Sequence, residues 1–352
     1  MKRLNTAERS TSCSRALKRK GAHLKKTKIS SKLLNILTRN KSFVIAGHIN
    51  PEGDAIGSIL ALALGLKKTG RKNIHLLSRD GVPANLKFLP YAGLVKQLPP
   101  KKTVDVLIIA DCNTLERTGF REVKAKNTVI IDHHIPPDNA GESELYKKLS
   151  AGLIDPKAAA TGMLIFKLLT ALNIPIDKDM ATNLYTAILV DTGGFRYSNT
   201  SPESLRMACH LVEAGARPWD ITKELYESIP YKSVKLLGLS LATLDKKDGI
   251  AWMTATRDMF KKTGTTSEDS EDFVDYPRKV KESEVAVFFR EDEKDVFKLS
   301  LRSKGKIDVQ KIANSFGGGG HFAAAGCKLK GTLRDVQKKV FAEVRKAIKN
   351  AK

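Results

Sequence analysis

The apolar run Thr128-Val129-Ile130-Ile131 passes straight into Asp132-His133-His134 and is stopped by Ile135-Pro136-Pro137. A β-branched run this short reads as a buried strand, and the prolines forbid its extension. An acid and two imidazoles therefore fall at a strand's C-terminal edge, where open α/β sheets place their ligands. The pattern recurs along the chain. Phe43-Val44-Ile45-Ala46-Gly47 reads as a strand running through the polar turn His48-Ile49-Asn50-Pro51-Glu52-Gly53 into a helix that begins near Asp54 and ends near Lys68. Asn73 to Leu77 is a further strand, and Val104 to Ala110 another, ending at Asp111-Cys112-Asn113. Helices follow near Ala158 to Leu172 and Lys178 to Leu189, the second leading into Val190-Asp191-Thr192-Gly193-Gly194-Phe195-Arg196. Strand and helix alternate in this way in a parallel sheet flanked by helices.

Each of these residues also has a plain reading. Adjacent histidines can be a surface pair, Asp54 can cap its own helix, Asp111 can open a turn, and Arg196 can be a surface cation.

With 352 residues, 41% of them hydrophobic, the chain is long enough for two domains. Helices over Pro202 to Ala214 and Pro218 to Glu227 finish the first, and the pattern changes at Ser228 to Tyr231. Beyond lie a helix near Lys232 to Leu244 and strands over Ile250 to Thr256, Glu284 to Phe289 and Phe297 to Arg302. The acidic stretch Ser267 to Asp275 reads as a solvated helix capped by Ser267. We expect a basic arm over 1–30, an α/β domain over 31–228 with a parallel sheet, and a smaller α/β domain over 229–352, with the active site in the cleft between the two domains. A helix starting at Asp308 precedes Gly317-Gly318-Gly319-Gly320-His321, and Phe322 through Gly326 follow. Consecutive glycines are costly in chain entropy, so this backbone must fold tightly or cradle an anion with its amides. The basic helix from Leu333 to Lys349 reads as a half-packed terminus.

The net charge of +23 favours polyanionic partners. Much of it lies in the first thirty residues, which lack apolar periodicity and read as a disordered arm; their basic, acid-poor composition also resembles an organelle-targeting peptide. No apolar stretch reaches the roughly 20 residues a bilayer requires, so a soluble protein without a membrane partner is expected. Cys13, Cys112, Cys209 and Cys327 are scattered and read as reduced thiols of a cytoplasmic protein.

His48, Glu52, Asp54, Asp111, His133 and Asp191 come from separate strand and helix ends and form a His/carboxylate set large enough for two divalent ions, Mn²⁺ by ligand type. Two such ions about 3.5–4 Å apart activate water and stabilise an in-line displacement at phosphorus. Hydrolysis of a phosphate ester is the chemistry that suits this set. Arg302 and the Gly-His loop would offer charge and amide donors to the substrate's phosphates.

His48 to Ser58, Asp111, Asp132-His133-His134 and Asp191 resemble, in order, the four motifs of DHH phosphoesterases. Gly317 to Gly326 is similar to the glycine-histidine signature of the DHH-associated C-terminal domain. The resemblance implies that His48, Glu52, Asp54, Asp111, His133 and Asp191 hold the dinuclear Mn²⁺ centre, with Asp132 orienting the imidazoles and His134 beside the scissile phosphate. It further implies substrate contacts for Arg302 and His321, which Gly318, Gly319, Gly320 and Arg196 would extend. Glu52 departs from the family's usual Asp. Length points to the branch that cleaves very short RNAs and dephosphorylates phosphoadenosine phosphate (pAp). Short RNA or a nucleotide is then the expected partner, and a homodimer is compatible with it. A cyclic or linear dinucleotide phosphodiesterase, a single-strand 5′ exonuclease and a non-catalytic RNA-binding regulator are the competing expectations.

Overall fold

A computed structural model describes residues 29–120, 122–136 and 140–351, with His321 described by its backbone. Expectations for the basic arm lie, over residues 1–28, outside the described residues. The chain divides into two compact units between Ser228 and Ile229.

In the first unit β1 (Ser42–Ala46), β2 (Asn73–Leu77), β3 (Val95–Lys96), β4 (Val104–Ala110), β5 (Ala125–Asp132) and β6 (Leu149–Ile154) form one sheet in the order β3-β2-β1-β4-β5-β6. Every pair is parallel. The chain winds outward from β1 to β3, then crosses to the other side of β1 for β4. The winding direction thus reverses between β1 and β4, and at such a switch point the loops leaving the strand ends diverge and open a crevice. His48 follows β1 and Asp111 follows β4, so topology alone delivers both to that crevice. The edge strands β3 and β6 escape sequence reading because they are short or only partly buried.

Helices α1 (Ser31–Arg39), α2 (Gly53–Lys68), α3 (Thr161–Ala171), α4 (Lys178–Asp191), α5 (Pro202–Glu213) and α6 (Pro218–Tyr226) accompany this sheet. α2 is buried from Gly53 through Leu66, which accounts for its lack of a polar face. Its glycines permit a close approach to its neighbours: a Cβ on Gly57 would lie 2.4 Å from the Asn183 carbonyl oxygen of α4, and one on Gly65 would lie 2.2 Å from Leu169 of α3. A Cβ on Gly53 would meet Val190 at 2.5 Å, and one on Gly162 would meet Ala187 at 2.6 Å. The first turns of α2 and α3 are thereby held against the last turns of α4.

Two readings need correction here. Glu52, not Asp54, occupies the N-cap of α2, and its side chain makes no capping bond. Asp191 is the last residue of α4, which continues two residues past the expected end at Leu189.

The second unit opens with α7 (Tyr231–Leu241). Its sheet contains β7 (Asp245–Lys247), β8 (Ile250–Ala255), β9 (Val285–Glu293), β10 (Val296–Ser303), β11 (Gly319–His321) and β12 (Ala324–Lys330), in the order β11-β12-β10-β9-β8-β7. α8 (Val309–Asn314) and α9 (Leu333–Asn350) pack on one face through Val309, Ile312, Val336, Val340 and Val344. The acidic stretch is a 3₁₀ helix over Ser267–Val274 whose cap is Thr266, one residue before the expected Ser267. Asp269 draws the boundary back by accepting the Thr266 N–H at 2.8 Å. The glycine run folds tightly: Gly319, Gly320 and His321 pair antiparallel with Gly326, Ala325 and Ala324. A Cβ on Gly320, at φ 144°, would lie 2.5 Å from the Ala324 carbonyl oxygen, so only glycine fits.

Gly57→Ala should cost about 1–3 kcal/mol, since backbone cannot yield as a side chain would. Thermal melts should show a fall of about 5 °C. Gly238→Ala, at an α7 position with nothing within 4 Å of the added carbon, should not melt lower. Equal responses would contradict the close contact between α2 and α4.

Candidate metal centre

Ordinary strand propensity ends where the site begins. β1 leaves its core run Phe43 to Ala46 through Gly47 and delivers His48, which is 6% exposed. The His48 Nδ1 donates to the Ile49 carbonyl at 2.8 Å. A carbonyl only accepts, so the ring hydrogen is on Nδ1 and the Nε2 lone pair faces Asp111 Oδ2 at 3.4 Å. Burial holds the His48 pKa below its usual value, which favours this neutral ring.

Asp111 leaves β4 in the left-handed region, at φ 62°, while its N–H still bonds the Ile131 carbonyl of β5 at 3.0 Å. That turn aims a nearly fully buried carboxylate across the strand ends; Asp tolerates this conformation better than most residues.

β5 ends on Asp132 and hands over the two histidines. His133 Nδ1 donates to the Ala158 carbonyl at 3.2 Å. Its Nε2 then faces Asp191 Oδ2 at 3.4 Å, Asp111 Oδ1 at 3.6 Å and Asp54 Oδ2 at 3.8 Å. Asp132 is fully buried and accepts from His134, at 2.7 Å from Nδ1 and 3.2 Å from the backbone N–H. Asp132 therefore orients His134, whereas His133 takes its orientation from a backbone carbonyl. The sequence reading had given Asp132 both imidazoles.

Asp54 does cap a helix, but a distant one. Its carboxylate accepts from Thr161 N–H at 2.6 Å and Gly162 N–H at 2.9 Å, the first two residues of α3, and from Ser58 Oγ at 3.0 Å. Ala160, at the N-cap of α3, has no side-chain oxygen to serve these donors. Thr161 also donates its hydroxyl to Asp111 Oδ1 at 2.9 Å, which ties two carboxylates through one residue. At the end of α4, Asn199 Nδ2 donates to the carbonyls of Asp191 at 2.9 Å and Ala159 at 3.2 Å. Sequence reading missed Thr161 and Asn199. Neither residue type stands out locally, and the small Ala158-Ala159-Ala160 run before Thr161 was the only available sign.

Two overlapping groups of ligand atoms result: Asp111, His133 and His134 in one, and Asp54, His133 and Asp191 in the other, each within 4.8 Å. His48 adjoins the first through Asp111. Glu52 is exposed and belongs to neither group, yet its charge acts on His48, Asp111 and Asp191. Burial first, and then the Asp54, Glu52 and Asp191 charges, raise the Asp111 pKa well above the usual carboxylate range. Burial, with Asp54 and Glu52, pushes Asp191 up to about 8.

Crowded carboxylates met by imidazole lone pairs require positive charge in the gap, and these donor types fit a divalent cation. The other expected site residues stand outside these two groups of ligand atoms. Arg196 is exposed and donates its Nε to the Gly193 carbonyl at 2.6 Å. Arg302 lies on β10, with Nη1 on the Leu301 carbonyl at 3.1 Å. Gly319, Gly320 and His321 form β11.

The DHH family's N-terminal domain matches residues 42–188, and the DHHA1 domain matches residues 251–351. The bifunctional oligoribonuclease and PAP phosphatase NrnA of Thermus thermophilus is 36% identical over 87% of this chain and 90% of its own length. Its Bacillus subtilis namesake is 25% identical over 86% and 93%. The crystal structure of an exopolyphosphatase-related protein from Bacteroides fragilis matches with a TM-score of 0.79 at 26% identity, covering 91% of this chain and 97% of that one. The chain belongs to the DHH family of phosphoesterases, with a DHHA1 domain in its second half. Among the described residues no helix is long and apolar enough to cross a membrane.

Asp191 retains a proton in the folded protein that the unfolded chain releases near pH 3.8, so metal-free stability should fall as pH rises from there to about 8. Asp191→Asn should flatten that decline in melting temperature; an unchanged slope would refute the crowding. Asp111→Asn should melt about 2–4 °C higher than wild type without metal and lose the rise that added divalent cation produces.

Proposed function

We propose that this chain is an Mn²⁺-dependent phosphoesterase that hydrolyses very short oligoribonucleotides and removes the 3′-phosphate of pAp. The observation that carries this reading is the meeting of imidazole lone pairs with crowded buried carboxylates at the sheet's switch point, a donor set that a divalent cation satisfies. The names of the relatives with 36% and 25% identity support the substrate class.

In this reading His48, Glu52, Asp54, Asp111, His133 and Asp191 hold two ions, with Glu52 reaching in from the rim. Divalent ions there supply Lewis acidity, which polarises a phosphoryl oxygen and acidifies water. The chain's own residues fix everything around them. The Ile49 and Ala158 carbonyls set the tautomers of His48 and His133, a partnership that orients metal-binding imidazoles generally. Thr161 holds Asp54 and Asp111 in place. Asp132 orients His134, which lies beside the scissile phosphate.

We assign residues 31–228 to the phosphoesterase domain and 229–352 to a substrate-binding domain. In the latter, Arg302, Gly318, Gly319, Gly320 and His321 contact the nucleotide, and Arg196 adds a phosphate contact from the first domain. A guanidinium that gives one donor to Gly193 retains others for phosphate.

Turnover of pAp, a dinucleotide, a 30-mer and cyclic di-AMP with Mn²⁺ tests the assignment. Dinucleotide and pAp should be favoured, and equal rates on the 30-mer and the dinucleotide would contradict it. Asp191→Asn should lose more than the roughly 100-fold that disturbing an outer partner of a metal ligand costs, while keeping its far-ultraviolet circular dichroism. Arg302→Ala should raise KM about 10-fold, the worth of one charged hydrogen bond, with little change in kcat.

A further inference from the structure

The sheet of the second unit has one face packed under α8 and α9, to which β10 contributes Phe297, Leu299 and Leu301. The alternate residues of β10, Lys298, Ser300 and Arg302, belong to the opposite face. There α7 and the Ser267–Val274 segment cover β8 and β9 through Leu236, Met253, Phe273 and Phe288. Over β10 and β12 that face is partly exposed. Lys298 keeps 42% and Lys328 54% of their side-chain surface, and Ser300, Arg302 and Gly326 are half-buried.

Strand register places three cations in one row across this face: Lys298 is directly opposite Arg290 on β9 and Lys328 on β12. Like charges facing one another across a ladder are unfavourable, so a row of three calls for anions. Arg290, 6% exposed, takes the nearest ones: Nη1 contacts Glu271 and Nε contacts Asp292, each at 2.7 Å. Lys298 and Lys328 stand farther from the same carboxylates, at 3.6 and 3.7 Å. The five groups sum to one net positive charge, borne by the two exposed lysines. Along β10 the row lies four residues from Arg302, about 13 Å away, with Ser300 between and the side-chain-free Gly326 beside it.

We infer that Lys298 and Lys328 form a backbone-phosphate subsite for the part of an oligonucleotide that extends beyond the nucleotide held at Arg302. The inference rests on the proposed function and deepens it: the track adds affinity for three- and four-nucleotide RNAs and leaves pAp, which is too short to reach it, unaffected. Arg290 is the buried positioning residue that occupies Glu271 and Asp292 and leaves the lysines to the ligand.

The test compares wild type with the Lys298→Ala/Lys328→Ala double variant, full length. KM is measured for pAp, diadenylate and tetra-adenylate with Mn²⁺, and anisotropy follows the binding of 5′-fluorescein tetra-adenylate in EDTA. The ratio of tetra-adenylate to diadenylate KM should rise about 10-fold. The salt slope of tetra-adenylate binding should fall by about 0.7 per lysine removed. Lys328→Glu should exceed Lys328→Ala in both effects. An unchanged ratio with an unchanged salt slope overturns the subsite, as does an equal rise for pAp, which would signify general loss of charge. Wild type that turns over none of the substrates, yet binds tetra-adenylate through the lysines, would sink the proposed function and not the subsite.

Discussion

Everything in the first unit answers to the burial of Asp54 and Asp111. A buried carboxylate is tolerated only where hydrogen bonds and opposite charge replace its water. Asp54 obtains three donors, two of them backbone N–H groups at the positive end of α3. Asp111 obtains the Thr161 hydroxyl and the approach of three imidazoles, those of His48, His133 and His134. These bonds fix where α3 begins, and they leave the remaining carboxylate lone pairs facing His133. The same residues thus anchor a helix and create the demand for a cation.

The sheet and the helices meet that demand by different means. Reversal of winding between β1 and β4 puts His48 and Asp111 together at neighbouring strand ends. Asp54 and Asp191 arrive by helix packing, because glycines at 53, 57 and 162 let α2, α3 and α4 draw close enough for their ends to converge. The Asn199 side chain then ties the end of α4 to the residues preceding α3. Strand ends and helix ends supply different members of one site, so losing either kind of support would disturb the cluster while the core remained.

The parts of this arrangement legible in the sequence are the local ones. A β-branched run that stops at an acid or a histidine marks a strand end within a few residues, and so His48, Asp111 and Asp132-His133-His134 stood out. Asp54 was read as a metal ligand, with a cap for its own helix as the plain alternative; the helix it does cap was hidden because its partners, Thr161 and Gly162, lie 107 and 108 residues away. Thr161 itself carried no signal, since a threonine at a helix start is ordinary until its hydroxyl is seen on Asp111. The Ser267 cap failed by one residue because Asp269 reaches back to Thr266. The glycine run was read as a backbone that folds tightly or cradles an anion, and its pairing with β12 was not legible because it depends on where β12 lies. Glu52 is conspicuous in sequence, yet it is exposed in the structure and belongs to neither group of ligand atoms.

The central claim is that the lone pairs of His48 and His133, facing buried carboxylates, make a binuclear cation site. Metal content by mass spectrometry, after equilibration of the purified protein with Mn²⁺ and removal of free ion, tests it most directly. The account predicts two Mn²⁺ per chain, and fewer than one per chain would contradict it.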